Sequence, residues 1–200
     1  ANVPVVIGRT TPETKKVFIH KANALKSDIY FAIEYKGEIY SSDLKGNYQQ
    51  ENLKTTLQTI AVLQNKGWEI DKTSIKNGLN KVVENTGLLG RWQILKQAPK
   101  VICDTAHNKD GLEFTLQQLL EEKHEHLHIV LGVVDDKDLD TILPLFPIQA
   151  QYYFCRPDMS RGLNEKKLKE KALHFNLIGK DFETVEKAYK AALQQATSLD

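Results

Sequence analysis

Lys100-Val101-Ile102-Cys103-Asp104-Thr105-Ala106-His107-Asn108-Lys109-Asp110-Gly111-Leu112 passes from an apolar run, through a polar corner, into a helical pattern. Lys100 to Thr105 reads as a strand and Asp110 to Glu122 as a helix. The alternation continues downstream: a strand over Leu127 to Val134, a short helix over Leu139 to Phe146, and a strand over Ala150 to Cys155. Helices over Glu165 to Asn176 and Phe182 to Ala196 follow. Continuous apolar runs such as Ile129-Val130-Leu131 suit strands buried on both faces, so the expected class is α/β, a mostly parallel sheet wrapped by helices. A doubly wound domain normally continues with a further strand. Here the last helix runs into Thr197-Ser198-Leu199-Asp200, so trimming at this end is expected.

Upstream the pattern differs. Val3 to Ile7 is a β-branched run closed by Gly8, as in a buried strand. Thr11-Pro12-Glu13 reads as an N-cap with proline at the first helical position, and the helix should reach about Leu25. Asp28 to Tyr35 is aromatic and β-branched, and Lys36-Gly37 should turn it back through Glu38-Ile39-Tyr40 as a hairpin or meander. Leu53, Leu57, Ile60, Ala61 and Leu63 recur at helical spacing within Asn47 to Gln64. A second helix, Asp71 to Val83, has Asp71 as N-cap and Ile75, Leu79, Val82 and Val83 inward. The glycine-punctuated Glu84 to Gly90 is the expected boundary, giving domains 1–89 and 90–200. Because Val3 to Ile7 opens the chain directly as a strand, a missing upstream segment is also expected.

Composition excludes several classes. A net charge of +1 gives no basic field to attract nucleic acid. Lys and Glu are interspersed, as in Glu165-Lys166-Lys167, which is the pattern of a solvated helix face. Cys103 and Cys155 end apolar runs without zinc-type or CxxC spacing, so buried thiols in a reducing cytoplasm are expected. No apolar stretch reaches membrane-spanning length, and no secretory signal opens the chain.

In open α/β sheets, ligands collect beyond the carboxyl ends of the strands. Three segments put polar groups there: Cys103 to Asn108, Gly132 to Asp138, and Arg156 to Gly162. Any one could be a solvated loop; three in succession favour a site. A carboxylate such as Asp104 can hold a ribose hydroxyl or a metal-bound water. His107 precedes a helix whose N-terminal amides favour anions. The alternative for Asp104 and His107 is a capping pair, and that for Lys137-Asp138 is a solvated lysine beside an N-cap.

Asp104-Thr105-Ala106-His107-Asn108 through Leu112 resembles the D-x-A-H-N-P-x-x-L segment of the folylpolyglutamate synthase/dihydrofolate synthase family within the Mur ligase superfamily. Lys109 stands where that family usually has proline. Gly90-Arg91-Trp92 resembles its P-G-R element, and Gly132 to Asp138 its G-x-x-x-D-K-D. Gly46 to Asn52 resembles G-x-(H/Y)-Q-x-x-N, and Pro4 to Gly8 the strand preceding T-x-P-E. Each element is weak alone, but the ordered set spans nearly the whole chain.

The resemblance implies a Rossmann-like domain at 90–200, preceded by the end of a central P-loop ATPase domain. It implies ATP contacts at Asn52, Arg91 and Asp104, reached from both domains. His107 would lie near the incoming glutamate and the acyl phosphate, which with Asp104 makes up the implied catalytic pair. Lys137, Asp138 and Arg161 would serve the substrate side, Arg161 by a looser match. The implied activity is ATP- and magnesium-dependent joining of L-glutamate to folate or dihydropteroate, in a cytoplasmic monomer. Its acyl-phosphate chemistry needs cationic groups on the transferring phosphoryl group and a site closed to water. No metal ligands are assigned in these residues. The phosphate-cradling G-x-x-G-K followed by Ser or Thr is absent, so these 200 residues alone should not turn over.

Three other readings compete. A UDP-muramoyl amino-acid ligase shares the fold and the ATP chemistry. A dinucleotide oxidoreductase needs a glycine-rich turn, which Thr105-Ala106-His107-Asn108 does not offer. A non-catalytic interaction module would not bind nucleotide.

Overall fold

Val5–Ile7 (β1) and Ile29–Phe31 (β2) pair in parallel, Val5 opposite Ile29, with helix α1 (Pro12–Ala24) as the crossover between them. This is a computed structural model describing residues 2–200, and the chain forms two compact units that meet in sequence at Leu89 and Gly90. Helix α1 starts where its chemistry demands. The Thr11 hydroxyl accepts from the Thr14 amide at 3.3 Å, and the Thr14 hydroxyl accepts from the Thr11 amide at 2.9 Å. Helix α2 (Gln49–Asn65) turns Leu53 and Leu57 against Ile75 of α3 (Lys72–Asn80), and Tyr35, Tyr40, Ile60, Ile70 and Leu79 close that small core.

The expected hairpin over residues 28–40 does not form. After β2 the chain makes a 3-10 turn, Ala32–Glu34, and residues 38–40 are not a strand. Tyr35 and Tyr40 are used instead to cover α2 and α3, and Glu38 is held by the Tyr40 hydroxyl (3.0 Å) and Lys72 (3.1 Å). The helix expected over Asp71–Val83 breaks at Lys81, and a short α4 (Val82–Thr86) follows. Asp43 stabilises the break: its carboxylate accepts from the Val83 amide (3.0 Å), and its own amide donates to the Leu79 carbonyl (3.2 Å).

In the second unit, β3 (Gln93–Gln97) and β4 (Lys100–Cys103) form an antiparallel hairpin with a bulge between Ile94 and Lys96. The strand expected to open the parallel sheet is thus antiparallel to a partner that the mostly exposed Gln93-Ile94-Leu95-Lys96-Gln97 does not announce. The parallel sheet is β5 (His128–Leu131), β6 (Gln151–Cys155) and β7 (Gly179–Phe182), in that order. Strand β7 lies in the stretch left unassigned between the last two expected helices, taking only Phe182 from the second, which begins instead at Val185. Gly179 lies opposite Tyr152, and a Cβ there would stand 2.2 Å from the Tyr152 carbonyl oxygen, so only glycine allows this pairing.

Strand β6 organises the core. Tyr152 and Phe154 face α5 (Lys109–Glu121), α6 (Leu139–Ile142) and α7 (Glu165–Leu173), among Leu112, Leu143 and Leu168. Tyr153 and Cys155 face the opposite side, against Ala188 and Ala192 of α8 (Val185–Gln195). Period-two alternation therefore fills two cores from one strand, which is the α/β class expected. The parallel β5, β6 and β7 carry their carboxyl ends on one edge of the sheet. Among the described residues no helix is long and apolar enough to cross a membrane.

Candidate functional site

The corner after β4 is built on Asp104. One carboxylate oxygen accepts from the Trp92 amide at 2.7 Å, and the other from the Ala106 amide at 2.8 Å and the Thr115 hydroxyl at 3.5 Å. Asp104 thereby joins three places: the turn before β3, its own loop and the second turn of α5. Trp92 is buried and sits at φ 50°. A non-glycine residue in that region needs its surroundings to hold it, and the Asp104 bond to its amide is such a hold.

Gly90 lies at φ 68°, and a Cβ on it would fall 2.5 Å from the Thr105 methyl, so glycine admits both the backbone and the neighbour. The Gly90 carbonyl accepts from the Thr105 amide (2.9 Å), the Thr105 hydroxyl (3.0 Å) and Nη1 of Arg91 (3.3 Å). Nη1 of Arg91 also donates to the Thr105 hydroxyl oxygen. The guanidinium is thus fixed at one nitrogen, and Arg91 as a whole is partly exposed.

His107 is exposed, with Nδ1 3.1 Å from the Thr105 carbonyl oxygen. A carbonyl only accepts, so in the neutral ring Nδ1 carries the proton and Nε2 keeps the lone pair. Asn108 then caps α5, its side-chain oxygen accepting from the Gly111 amide at 2.8 Å. The corner offers a guanidinium, an imidazole and a capped helix start, a combination suited to a phosphate or carboxylate. Cys103, half-buried beneath it, has its thiol pushed up by burial and by the neighbouring Asp104, so it is no ready nucleophile.

The second and third strand-end loops are bound to each other. The Asp135 amide donates to the Arg161 carbonyl (2.9 Å), the Leu163 amide to the Val133 carbonyl (2.9 Å), and Val134 bridges Gly162. Arg161 pairs with Asp136 at 2.9 Å, both well exposed. Asp138 is the N-cap of α6, accepting from the Thr141 hydroxyl at 2.6 Å, a bond that holds its carboxyl below the usual range. Lys137 beside it is half-buried. In the first unit, Asn52 is exposed on α2, where its amide donates to the buried Gln49 at 2.8 Å.

The structure thus brings Arg91, Asp104 and His107 into one corner and ties Arg161 to the Gly132–Asp138 loop. Sequence reading missed Thr105, the residue that links Arg91 to the corner, and Asp136, the partner of Arg161. The only advance signal for Thr105 is its place beside Asp104 in the motif. Among the described residues no three His, Cys, Asp or Glu side chains converge as a metal site.

Residues 90–200 match the family model for the Mur ligase, glutamate ligase domain. Among curated proteins, the dihydrofolate synthase/folylpolyglutamate synthase of Escherichia coli (strain K12) is 30% identical over 153 residues, 76% of this chain and 34% of that protein. The UDP-N-acetylmuramoyl-L-alanyl-D-glutamate--L-lysine ligase of Streptococcus thermophilus is 26% identical, over 88% of this chain and 37% of that protein. Among solved structures, Mycobacterium tuberculosis folylpolyglutamate synthase complexed with ADP matches with a TM-score of 0.78 at 21% identity, covering 94% of this chain and 47% of that one. E. coli FolC in complex with DHPP and ADP matches with a TM-score of 0.76 at 23% identity, covering 98% and 48%. At such identities the solved structures establish the shared fold. The chain spans about a third of the E. coli protein and about half of the solved chains.

Proposed function

This chain belongs to the folylpolyglutamate synthase/dihydrofolate synthase family of the Mur ligase superfamily, and on that footing we propose that it forms part of an ATP-dependent ligase joining L-glutamate to folate or dihydropteroate. The observation that carries the proposal is the corner of Arg91, Asp104 and His107 at a strand end, just before a capped helix. ATP phosphorylates the acceptor carboxylate, giving an acyl phosphate and ADP. The glutamate amine then attacks the carbonyl carbon, and the tetrahedral intermediate expels phosphate.

Arg91 offsets charge on the transferring phosphoryl group, and the lone pair on Nε2 of His107 takes the proton that the attacking amine must lose. Asp104 holds both residues in register, and Asn52 adds a nucleotide contact. Lys137, Asp138 and Arg161 are the candidates for the substrate side, with Asp138 serving as a helix cap as well. The proposed enzyme is a cytoplasmic monomer that uses magnesium with ATP. Magnesium would be held largely by the ATP phosphates and water, since among the described residues no three His, Cys, Asp or Glu side chains converge.

The match to the lysine-adding muramoyl ligase over 88% of the chain favours one alternative, amino-acid addition to a UDP-muramoyl acceptor. Ligation by the full-length protein decides between the two. With ATP, magnesium and glutamate, we expect product from dihydropteroate or tetrahydrofolate. Product from a UDP-muramoyl acceptor alone would transfer the protein to the other branch.

A further inference from the structure

We infer that Thr105 is a positioning residue for the ligase reaction, holding the Arg91 guanidinium in the orientation that meets the phosphoryl group; this rests on the ligase reading above. A hydroxyl has one donor and two acceptor sites. Thr105 donates to the Gly90 carbonyl at 3.0 Å and accepts from Nη1 of Arg91, so its side chain spans the turn and the guanidinium together. Its amide donates to the same carbonyl at 2.9 Å, which keeps the hydroxyl from drifting. Both hydrogen bonds made by Arg91 among the described residues start at Nη1. The edge formed by Nη2 and Nε is left for a planar carboxylate or a phosphate, which an arginine fork meets with two bonds when its plane is fixed.

Asp104 braces the same turn from the other side through the Trp92 amide at 2.7 Å. Residues 90 to 92 are therefore held on both flanks, and among the described residues Thr105 supplies the side chain that bonds the guanidinium, beside the Gly90 carbonyl at 3.3 Å. This separates the two neighbours in the motif: Asp104 fixes the backbone and Thr105 fixes the charge. Without the hydroxyl, the long Arg91 side chain would regain its rotamers and lose them again on each binding event.

The test has two arms, with Thr105→Val (hydroxyl removed, volume kept) and Thr105→Ser (hydroxyl kept). In the 200-residue chain, nitrogen-15 NMR of the Arg91 side chain reports guanidinium rotation without any reaction. Wild type and Thr105→Ser should show slowed rotation and Thr105→Val fast rotation; unchanged rotation in Thr105→Val overturns the proposal. In the full-length ligase, Thr105→Val should lower kcat/KM for ATP about tenfold, the weight of one hydrogen bond to a charged group. Thr105→Ser should stay within about twofold of wild type, since it keeps that bond. In an Arg91→Ala background, Thr105→Val should cost less than about twofold, because the two residues act as one unit. Equal losses with and without Arg91, or Thr105→Ser as poor as Thr105→Val, would refute positioning through Arg91. A wild-type protein that ligates glutamate to no acceptor sinks the ligase reading instead, and the NMR arm still decides the hold on Arg91.

Discussion

The two units bury their apolar residues in different ways. Seven of the eight largest fully buried side chains, Tyr152, Tyr153, Phe154, Leu143, Leu168, Leu177 and Cys155, lie in the second unit, and only Leu57 lies in the first. The first unit leaves Val3, Val17, Ile33 and Trp68 each more than 60% exposed. The cause is topological. Strand β6 has a parallel neighbour on each side and helices on both faces, so every residue from Tyr152 to Cys155 is enclosed. Among the described residues the first unit has the β1–β2 pair alone, and two strands cannot enclose both of their faces. The Asp104 corner lies in the second unit but follows β4 of the β3–β4 hairpin, so it is fixed by its own bonds to Trp92, Ala106 and Thr115.

The harshest way to break this contrast is at Gly179. In Gly179→Ala, the new Cβ meets the Tyr152 carbonyl oxygen at 2.2 Å, and backbone cannot step aside as a flexible side chain can. We expect a loss of about 3 kcal/mol or more, in the upper range for overpacking. Thermal unfolding followed by Trp92 fluorescence would measure it, with Trp68→Phe as background. Trp92 is buried in the second unit, whereas Trp68 is exposed in the first. A melting temperature within a degree of the parent would mean that β7 does not pair as described.

A gentler pair sharpens the comparison. Leu143→Ala removes a fully enclosed side chain from the larger core and should cost about 3 kcal/mol. Leu57→Ala empties a space in the smaller cluster, whose neighbours can close in, and should cost about 2 kcal/mol. The first is read by Trp92 fluorescence in urea and the second by hydrogen exchange of the α2 amides. Equal costs would show that the small core is packed as tightly as the large one.

How legible these features were depended on whether the signal was local. Thr11-Pro12, Asp71 and the apolar spacing of Leu53 and Leu57 specify helices from neighbouring residues alone, and those helices are present. Strand β6 announces itself by its continuous aromatic run. Strand β7 does not, because Gly179-Lys180-Asp181-Phe182 is a strand only through pairing with Tyr152 to Cys155. The hairpin expected over residues 28–40 erred in the opposite direction. Its aromatics were read as strand, but Tyr35 and Tyr40 find better burial against α2 and α3. In the candidate site, the motif carried Arg91, Asp104 and His107. The hold of Thr105 on Arg91 joins residues fourteen apart and is invisible until the turn at Gly90 folds back.

The smallest effect sets two caps against each other, Asp71 on α3 in the first unit and Asp138 on α6 in the second. Both carboxyls lie below their ordinary range in the folded chain. The Ser74 amide is the main cause at Asp71, and the Thr141 hydroxyl at Asp138. A carboxyl that gives up its proton more readily when folded stabilises the fold above its unfolded pKa of about 3.9, and that help fades as pH falls through the lower folded value. Each cap should therefore weaken only in acid, below about pH 4. Asp71→Asn keeps a capping oxygen without a titrating proton, so it should remove the acid sensitivity of α3 while leaving the helix formed at neutral pH. Asp138→Asn should matter less, since α6 is a single turn whose Ile142, with Leu143 just after it, is held by the large core, whatever happens at the cap. Amide exchange at Ser74 and Thr141 between pH 3 and 6, in both variants, reads the difference on the order of the unfolded carboxyl's own titration. Ser74 should lose protection in acid in the wild type and not in Asp71→Asn. An acid response at Ser74 that survives Asp71→Asn would assign the low-pH weakness of the first unit to its thin core instead of its cap.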